Sequence, residues 1–564
     1  VAGTVQRGRA ACTGFSIGPR PALHSDAVPP DAHRSALALG LAPTLLFILA
    51  STAVDAAAQG VPHAPAERHE RIEALHAHRL LFDRTGEPMV TVGLAEHARA
   101  VTLRSPIALT LLAEGEEAFS MRVSPETTLT VTLADARQAR RRHWLVAERF
   151  TPSRLGAGAA ARARFVEAGV ETALFEAGAL AGAAGRLFDT RTITLAVSPG
   201  ETPAEARRGL SRARAAGYVG GDAYTEVVVR PGGVLTARDP NRGFELVARD
   251  LLWVRPEGGT PTEVRVDDGA PARFAGELYL TVGTDGRLVL GNLASAEVLL
   301  ESVVPSETFP SAPTAALAAQ AVVARGQFLA KLGLKHRGDP FMLCNRWHCQ
   351  AHGGQGRATP ATNAAVRDTR GLVLVSARGG LVDTVYHSAC GGRTEAWDVA
   401  WGGEARAGLG GVDDTRDGSG EAWCASSGRR NGVYRWASRV SGRAVTERAN
   451  RLHPLGPVTE LRVVRQGRSG RVLGLEIVGA RGTHRLEGES AIRRLFGGLK
   501  SSLFTLVREG PPGGEATAWR LTGAGYGHGI GLCQHGAIGQ ANAGRDVRQI
   551  LQHYFPGTRL ERVW

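Results

Sequence analysis

The sequence predicts an α+β fold: a β-rich N-terminal region, then a mixed α/β domain with a helix directly after the loop that carries its best catalytic candidate. Period-two alternation of apolar and polar residues runs from Pro88 to Val131 and returns over 458–508, which predicts strands. Capped helical patterns are few and separated. The 564 residues are 43% hydrophobic and 21% charged, enough for three or four packed domains at roughly 150 residues each.

In chain order, residues 1–32 are polar and Pro-rich, and 36–54 form the one long apolar run. His33 and Arg34 precede it and Ala56-Ala57-Ala58 follow it, the layout of a secretory signal. Pro43 and Asp55 hold the run below the ~20 apolar residues of a membrane span, so cleavage is the first reading and an uncleaved anchor the second. The first Met is Met89, so 1–58 reads as an overlong start, the true start nearer Val28, plus the signal. The expectation is an exported protein of the periplasm or cell envelope, where cysteines can pair.

Residues 59–80 read as helix or linker, and 59–150 as a β-rich domain with strands at Met89–Leu94, Ala108–Leu112 and Leu129–Val131. Residues 151–269 read as mixed α/β. There, strand Thr192–Val197, a helix over Pro203–Ala216 capped by Thr202 and stopped by Gly217, and strand Glu226–Val229 weakly resemble the glycan-binding SPOR repeat at 190–232. The catalytic region starts at 270. Its hairpin Leu278–Leu290 turns at Asp285-Gly286. Ser306–Pro310 reads as a tight loop, and Ser311 or Thr314 caps a helix with Leu317, Ala321, Ala324 and Phe328 on one face. Two strands follow at 370–387, loops at 403–432, and two short helices near 536–542 and at Asp546–Tyr554.

The formal charge is +13, and only three of the 67 basic residues are lysine. The arginines are scattered rather than clustered, which reads as codon bias and gives no nucleic-acid partner. Six cysteines are too few for a disulfide scaffold of this size, and no Gly-X-Y period is present.

Four constellations could carry chemistry. Cys344-x-x-x-His348-Cys349, with His336 upstream, supplies the thiolate and imidazole donors that zinc prefers, with a Cys344–Cys349 disulfide or reduced thiols as rivals. Glu307 lies among Val303, Val304 and Phe309, where an apolar pocket would raise its pKa and a helix N-terminus would lower it. The glycines of Gly525–Gly531 around His528 allow positive φ and close approach to a ligand, with a structural turn as the plain alternative, and no nucleotide-loop Gly-Lys-Ser/Thr follows. Tyr386-His387-Ser388 precedes Cys390, which could pair with Cys424, leaving Cys533 single; no Gly-x-Ser-x-Gly elbow is present.

Taken together these motifs resemble the SpoIID/LytB family over about residues 270–564. Ser306-Glu307-x-x-Pro310, then Gln320-Ala321-Val322-x-Ala324-Arg325, is similar to the family's Ser-Glu-Met-Pro and Lys-Ala-Gln-Ala-Val-Ala-Ala-Arg-Thr-Tyr. Cys344-x-x-x-His348-Cys349-Gln350, His387-Ser388-x-x-Gly391-Gly392-x-Thr394-Glu395, Gly527-His528-Gly529-Ile530-Gly531 with Gln534-x-Gly536-Ala537, and Pro556-Gly557-Thr558 follow in the family's order. The departures are Thr308-Phe309 in place of Met, Gly326-Gln327 in place of Thr-Tyr, Asn345 in place of Asp and His535 in place of Tyr.

The resemblance implies a peptidoglycan lytic transglycosylase that breaks the MurNAc–GlcNAc bond with 1,6-anhydro-MurNAc formation. It implies Glu307 and Arg325 as catalytic residues, Tyr386, His387, Tyr526, His528 and Gln534 as substrate-binding, and a structural Zn²⁺ on His336, Cys344, His348 and Cys349. Its partners would be peptidoglycan glycan strands and a cell-wall amidase or another divisome or envelope protein. A non-catalytic glycan binder or amidase modifier is the alternative, and a zinc hydrolase with an open coordination position is the third reading.

Overall fold

Two antiparallel sheets share one apolar core. The computed structural model describes residues 70–564 except 79, 114–117, 184–185, 347–348, 417–418 and 428–431. The expected start and signal, and the linker up to residue 69, lie outside the described residues. The first sheet runs Leu81–Phe82, Pro88–Ala98, Leu288–Ser295, Glu277–Val282, Leu251–Pro256, Leu109–Ala113, Phe119–Val123, with Leu343–Cys344 added in parallel to Pro88–Ala98. The second runs Phe244–Arg249, Gly232–Asp239, Thr128–Arg137, Ala100–Arg104, Thr262–Val266, Ala272–Phe274. Alternation does the work the sequence predicts: Leu129 and Val131 are buried while Thr128 and Thr130 are not. Leu103, Leu111, Val131, Leu235 and Leu280 all join the shared core.

Between Thr128–Arg137 and Gly232–Asp239 the chain makes a separate four-stranded sheet, ordered Ala223–Val229, Arg140–Phe150, Thr192–Gly200, Thr172–Ala177. With the helices Leu155–Glu167, Pro203–Arg208 and Leu210–Ala215, its four strands read β-α-β-β-α-α-β along the chain. It has its own core around Phe150, Phe165, Leu195 and Tyr218. Thr202 caps its second helical segment by accepting the Glu205 N–H. A boundary after residue 150 would cut Arg140–Phe150 from the two strands it pairs with. A boundary at 270 likewise cuts the first sheet, because Leu288–Ser295 pairs with Pro88–Ala98. The β-rich part is therefore discontinuous in sequence, about 88–137 with 232–295, because each strand's pairing partner is remote.

Two consecutive helices cover this framework, Ala296–Glu307 and the central helix Thr314–Lys331. Every residue from Ala316 to Phe328 is buried, not one face alone. Pro360–Asp368, Gln534–Asn542, Val547–Tyr554 and strand Leu372–Ser376 also pack on the central helix, and its run of small residues lets them approach. The alternating stretch 458–508 forms strands Val458–Gln466, Val472–Gly479, Gly482–Glu487 and Phe504–Glu509, with helix Glu489–Leu495 between the last two. This part has a further core around Trp436, Val445, Ile477 and Trp519. Among the described residues, no helix is long and apolar enough to cross a membrane.

Candidate active site

Glu307 is the last residue of a helix rather than part of a loop. Pro305 lies inside that helix and removes one N–H, yet the Thr308 N–H still reaches the Val304 carbonyl at 3.0 Å, so the final turn closes. The carboxyl thus stands at the negative end of the helix, which disfavours its charged form, and not at the N-terminus the sequence pattern places beside it. It is half-buried. Ala351 N–H donates to Oε1 at 2.5 Å, and the Tyr386 hydroxyl bonds the carboxyl. Burial raises its pKa above the ordinary carboxyl value; the Ala351 and Tyr386 hydrogen bonds and the charge of Lys331 act the other way without reversing it. The Glu307 carbonyl accepts from the Gln534 side chain at 2.8 Å, and the same amide nitrogen lies 3.2 Å from Gln320 Oε1. Gln534, expected to bind substrate, therefore holds the backbone that carries Glu307.

The segment over Glu307 is pinned from both sides. Gln350 donates to the Ala324 carbonyl and to Gln327 Oε1, each at 2.9 Å. Buried His352 bonds Ser302 at 2.7 Å and lies 3.3 Å from Asn292 Oδ1, and burial lowers its pKa to about 4. Gln327 stands where the resembling family has Tyr, and it positions this segment through Gln350.

Tyr386 and His387 pair in parallel with Leu532 and Cys533, which joins two of the sequence motifs. His387 donates from Nδ1 to the Ile530 carbonyl at 3.0 Å, while its buried Nε2 has no partner among the described residues. Burial holds its pKa well below the usual histidine value. His528 accepts the Ile530 N–H at Nδ1, so the hydrogen-bond network assigns its proton to Nε2, which donates to the Tyr386 carbonyl at 2.9 Å. Burial lowers the His528 pKa to about 3, so the ring is neutral. Both histidines thus shape the wall and carry no charge to a ligand. The surrounding glycines make room for protein: a Cβ on Gly529, at φ +87, would meet the Arg471 guanidinium, and one on Gly531 would meet the Val385 carbonyl. At these two glycines the space is taken by tight packing. Tyr526 is 44% exposed and bridges Ala389 through its backbone.

Arg325 corrects the sequence reading. It is fully buried and gives Glu297 a two-pronged contact at 2.9 and 2.6 Å, with a third bond to the Leu372 carbonyl at 3.0 Å. All its strong donors are engaged inside the protein, so it reaches no substrate. The central helix is buried all round, and Arg325 faces the start of the preceding helix rather than the end that carries Glu307.

Three of the four expected zinc ligands come together. The donor atoms of His336, Cys344 and Cys349 lie within 4.8 Å of one another, and the two cysteines are buried thiols rather than a disulfide. His348 lies outside the described residues. Cys344 is fixed by its strand against Val92-Gly93, and Asn345 donates to the Leu94 carbonyl at 2.9 Å. Asp339 holds His336 Nδ1 at 3.1 Å, which leaves Nε2 facing Cys349 Sγ at 3.4 Å. A carboxylate that orients a histidine toward thiols fits a zinc site in donor chemistry and in outer support.

Two residues near these motifs carry little sequence signal. Trp401 is 42% exposed, 4.9 Å from the His528 ring and 4.6 Å from Trp397, so it offers an aromatic face beside the histidine wall. A Trp-x-x-x-Trp spacing on a helix is its one trace in the sequence. Lys331, one of only three lysines, is the cation acting on Glu307. Cys390 and Cys424 sit 3.6 Å apart with no bond between the sulfurs, and Cys533, expected to be single, lies with them.

Comparison with known proteins places these parts. Residues 284–375 match a family model described as "Stage II sporulation protein", and 425–531 match "Domain of unknown function (DUF8618)". The first match spans Glu307 and the His336/Cys344/Cys349 cluster; the second spans the separately cored C-terminal part. An uncharacterized protein of Brachyspira hyodysenteriae is 26% identical over 288 residues, 51% of this chain and 72% of its own length. The "Amidase enhancer" of Bacillus subtilis is 26% identical over 300 residues, 46% of this chain but 40% of its own length.

Proposed function

We propose that this chain, a SpoIID-family protein over residues 284–375, is exported to the cell envelope and cleaves peptidoglycan glycan strands as a lytic transglycosylase. The family and the amidase-enhancer relative support a role at the cell wall. The finer reading rests on one observation: Glu307 is a half-exposed carboxyl whose pKa is raised by burial, and no second carboxylate is among the described groups that act on it.

A raised pKa keeps a proton available on a carboxyl near neutral pH. Protonated Glu307 donates to the oxygen between MurNAc and GlcNAc as the C1–O bond breaks. The resulting carboxylate takes the proton of the MurNAc C6 hydroxyl, whose oxygen bonds to C1. The products are a free GlcNAc hydroxyl and a 1,6-anhydro-MurNAc end, with no water consumed and Glu307 again protonated. Hydrolysis would need a second carboxylate across the bond; here the nucleophile is already part of the substrate, and that proximity replaces it. Ala351 N–H and the Tyr386 hydroxyl orient the carboxyl, and both stabilise it once the proton has left.

His336, Cys344 and Cys349, with His348, would hold Zn²⁺, which would brace the backbone leading to Ala351 and, with four protein ligands, leave no position for water. Trp401 and Tyr526 supply exposed aromatic faces for sugar rings.

Digestion of purified glycan strands with wild type and with Glu307→Gln tests the reading by mass spectrometry. Anhydro ends, one water lighter than hydrolytic ends, released by wild type and absent with the variant are the expected result. Equal release by both would remove Glu307 from the chemistry. Glycan binding without cleavage by either protein would favour the second reading, a glycan-binding modifier of a cell-wall amidase, in keeping with the relative's name.

A further inference from the structure

We infer that Cys390, Cys424, Cys533 and Asp414 form a second metal site, suited to a thiophilic divalent cation such as Zn²⁺. The four donor atoms lie within 4.8 Å of one another, and all four residues are buried. Cys390 Sγ is 3.6 Å from Cys424 Sγ and 3.0 Å from Asp414 Oδ2. A tetrahedron with Zn–S bonds of ~2.3 Å has edges of about 3.8 Å, so the sulfurs already stand near ligand spacing.

The surroundings are built for thiolates. Cys533 Sγ accepts the N–H groups of Cys390 and Gly536 at 3.1 and 3.3 Å, and Cys390 Sγ accepts that of Gly392 at 3.2 Å. Cys533 also caps the helix Gln534–Asn542, at its positive end. Asp414 is held from outside: its Oδ1 accepts from Tyr554 at 2.7 Å and lies 3.0 Å from His553 Nε2, which leaves Oδ2 for the sulfurs. This is the outer support that ligating carboxylates carry. Fully buried Arg471 donates to the Cys390 carbonyl at 2.8 Å, so a fixed positive charge lies against a donor set that would outweigh a divalent ion. A disulfide accounts for the cluster less well. It would use two of the three sulfurs and leave a thiol and a carboxylate side by side in a dry interior, which is costly without a cation.

The site would draw together three stretches distant in sequence: the Tyr386–Glu395 wall, the loop at 414–424, and the Gly-His-Gly segment leading to Cys533. It would lock the histidine wall as the His336 cluster locks the segment over Glu307. Binding releases the protons of the thiols that become thiolates, so affinity should fall as pH is lowered.

The test is metal content of the purified full chain, kept reduced and loaded with Zn²⁺ or Co²⁺, for wild type, Cys424→Ser and Tyr554→Phe. Relative to wild type, Cys424→Ser should lose one equivalent of metal, together with part of the thiolate-to-Co²⁺ absorption. Tyr554→Phe keeps all four ligands and should bind that equivalent about 10- to 100-fold more weakly. These differences hold whatever the His336 cluster binds. Equal metal content and affinity in all three proteins would overturn the inference. So would a Cys390–Cys424 disulfide mapped in metal-loaded wild type. If Cys424→Ser does not fold, the Tyr554→Phe affinity decides alone.

Discussion

Glu297 and Glu307 stand at opposite ends of one helix, and the protein treats their carboxyls in opposite ways. Glu297, in the first turn, receives Arg325 on both oxygens, the Gly371 N–H at 2.9 Å and the Trp564 indole at 3.0 Å. Glu307, in the last turn, receives one backbone N–H and one phenol and is partly dried by Val304 and its neighbours. The first end ties together chain segments far apart in sequence. The second leaves a carboxyl of raised pKa partly open to solvent. Donor count and position along the helix, not residue type, separate the tightly paired carboxyl from the one of raised pKa.

The sharpest way to break this contrast is to neutralise each end in turn. Glu307→Gln should lower anhydro-product release by about 10²- to 10⁴-fold with glycan binding retained; a rate within a few-fold of wild type would end its role as proton donor. Arg325→Met, at the other end, should instead cost about 3–5 kcal/mol of stability by leaving the half-buried Glu297 carboxylate without its cation. Denaturant unfolding reads that loss, and an unchanged midpoint with reduced substrate binding would restore Arg325 to the cleft. Trp401→Ala should raise the KM for glycan about two- to tenfold with kcat little changed, the scale of one aromatic contact; an equal fall in kcat would place Trp401 nearer the bond being broken.

The smallest effect is linked to pH. The folded-state pKa of Glu307 lies above its unfolded value, so its contribution to stability is present at low pH and lost as pH rises through the folded pKa. Melting curves of Glu307→Gln should therefore show a gain over wild type at alkaline pH that shrinks toward acid. Activity that depends on the same proton should fall over the same alkaline limb. A stability gain independent of pH would mean that packing, not ionisation, separates the two proteins.

Local patterns in the sequence carried well. Thr202 as a cap and the helix capped by Asp546 follow from residues adjacent in the chain. His336, Cys344 and Cys349 span fourteen positions, and their spacing marks them as candidate metal donors while leaving a disulfide or reduced thiols open. Features that depend on remote partners were hidden. Arg325 sits in a run of small residues that looks one-sided by periodicity, whereas four other helices enclose it. Cys533 looks solitary because its companions are 143 and 109 positions away, and Asp414 gives no sign that it faces sulfur. Ser306–Pro310 reads as a tight loop, and the retained Thr308–Val304 bond shows why Glu307 ends a helix instead.

The four-stranded unit enters after Arg137 and leaves at Gly232, and those two residues are cross-strand partners. A cassette whose entry and exit stand side by side can be excised and the strands rejoined by a short turn without unravelling the host sheets. What such a deletion would expose is specific. Gly178 and Thr194 of the cassette bond Gly333 and Arg337, which flank His336. The excised protein should keep its framework but lose the buttress behind His336, and so loosen the His336, Cys344 and Cys349 cluster before the framework becomes less stable.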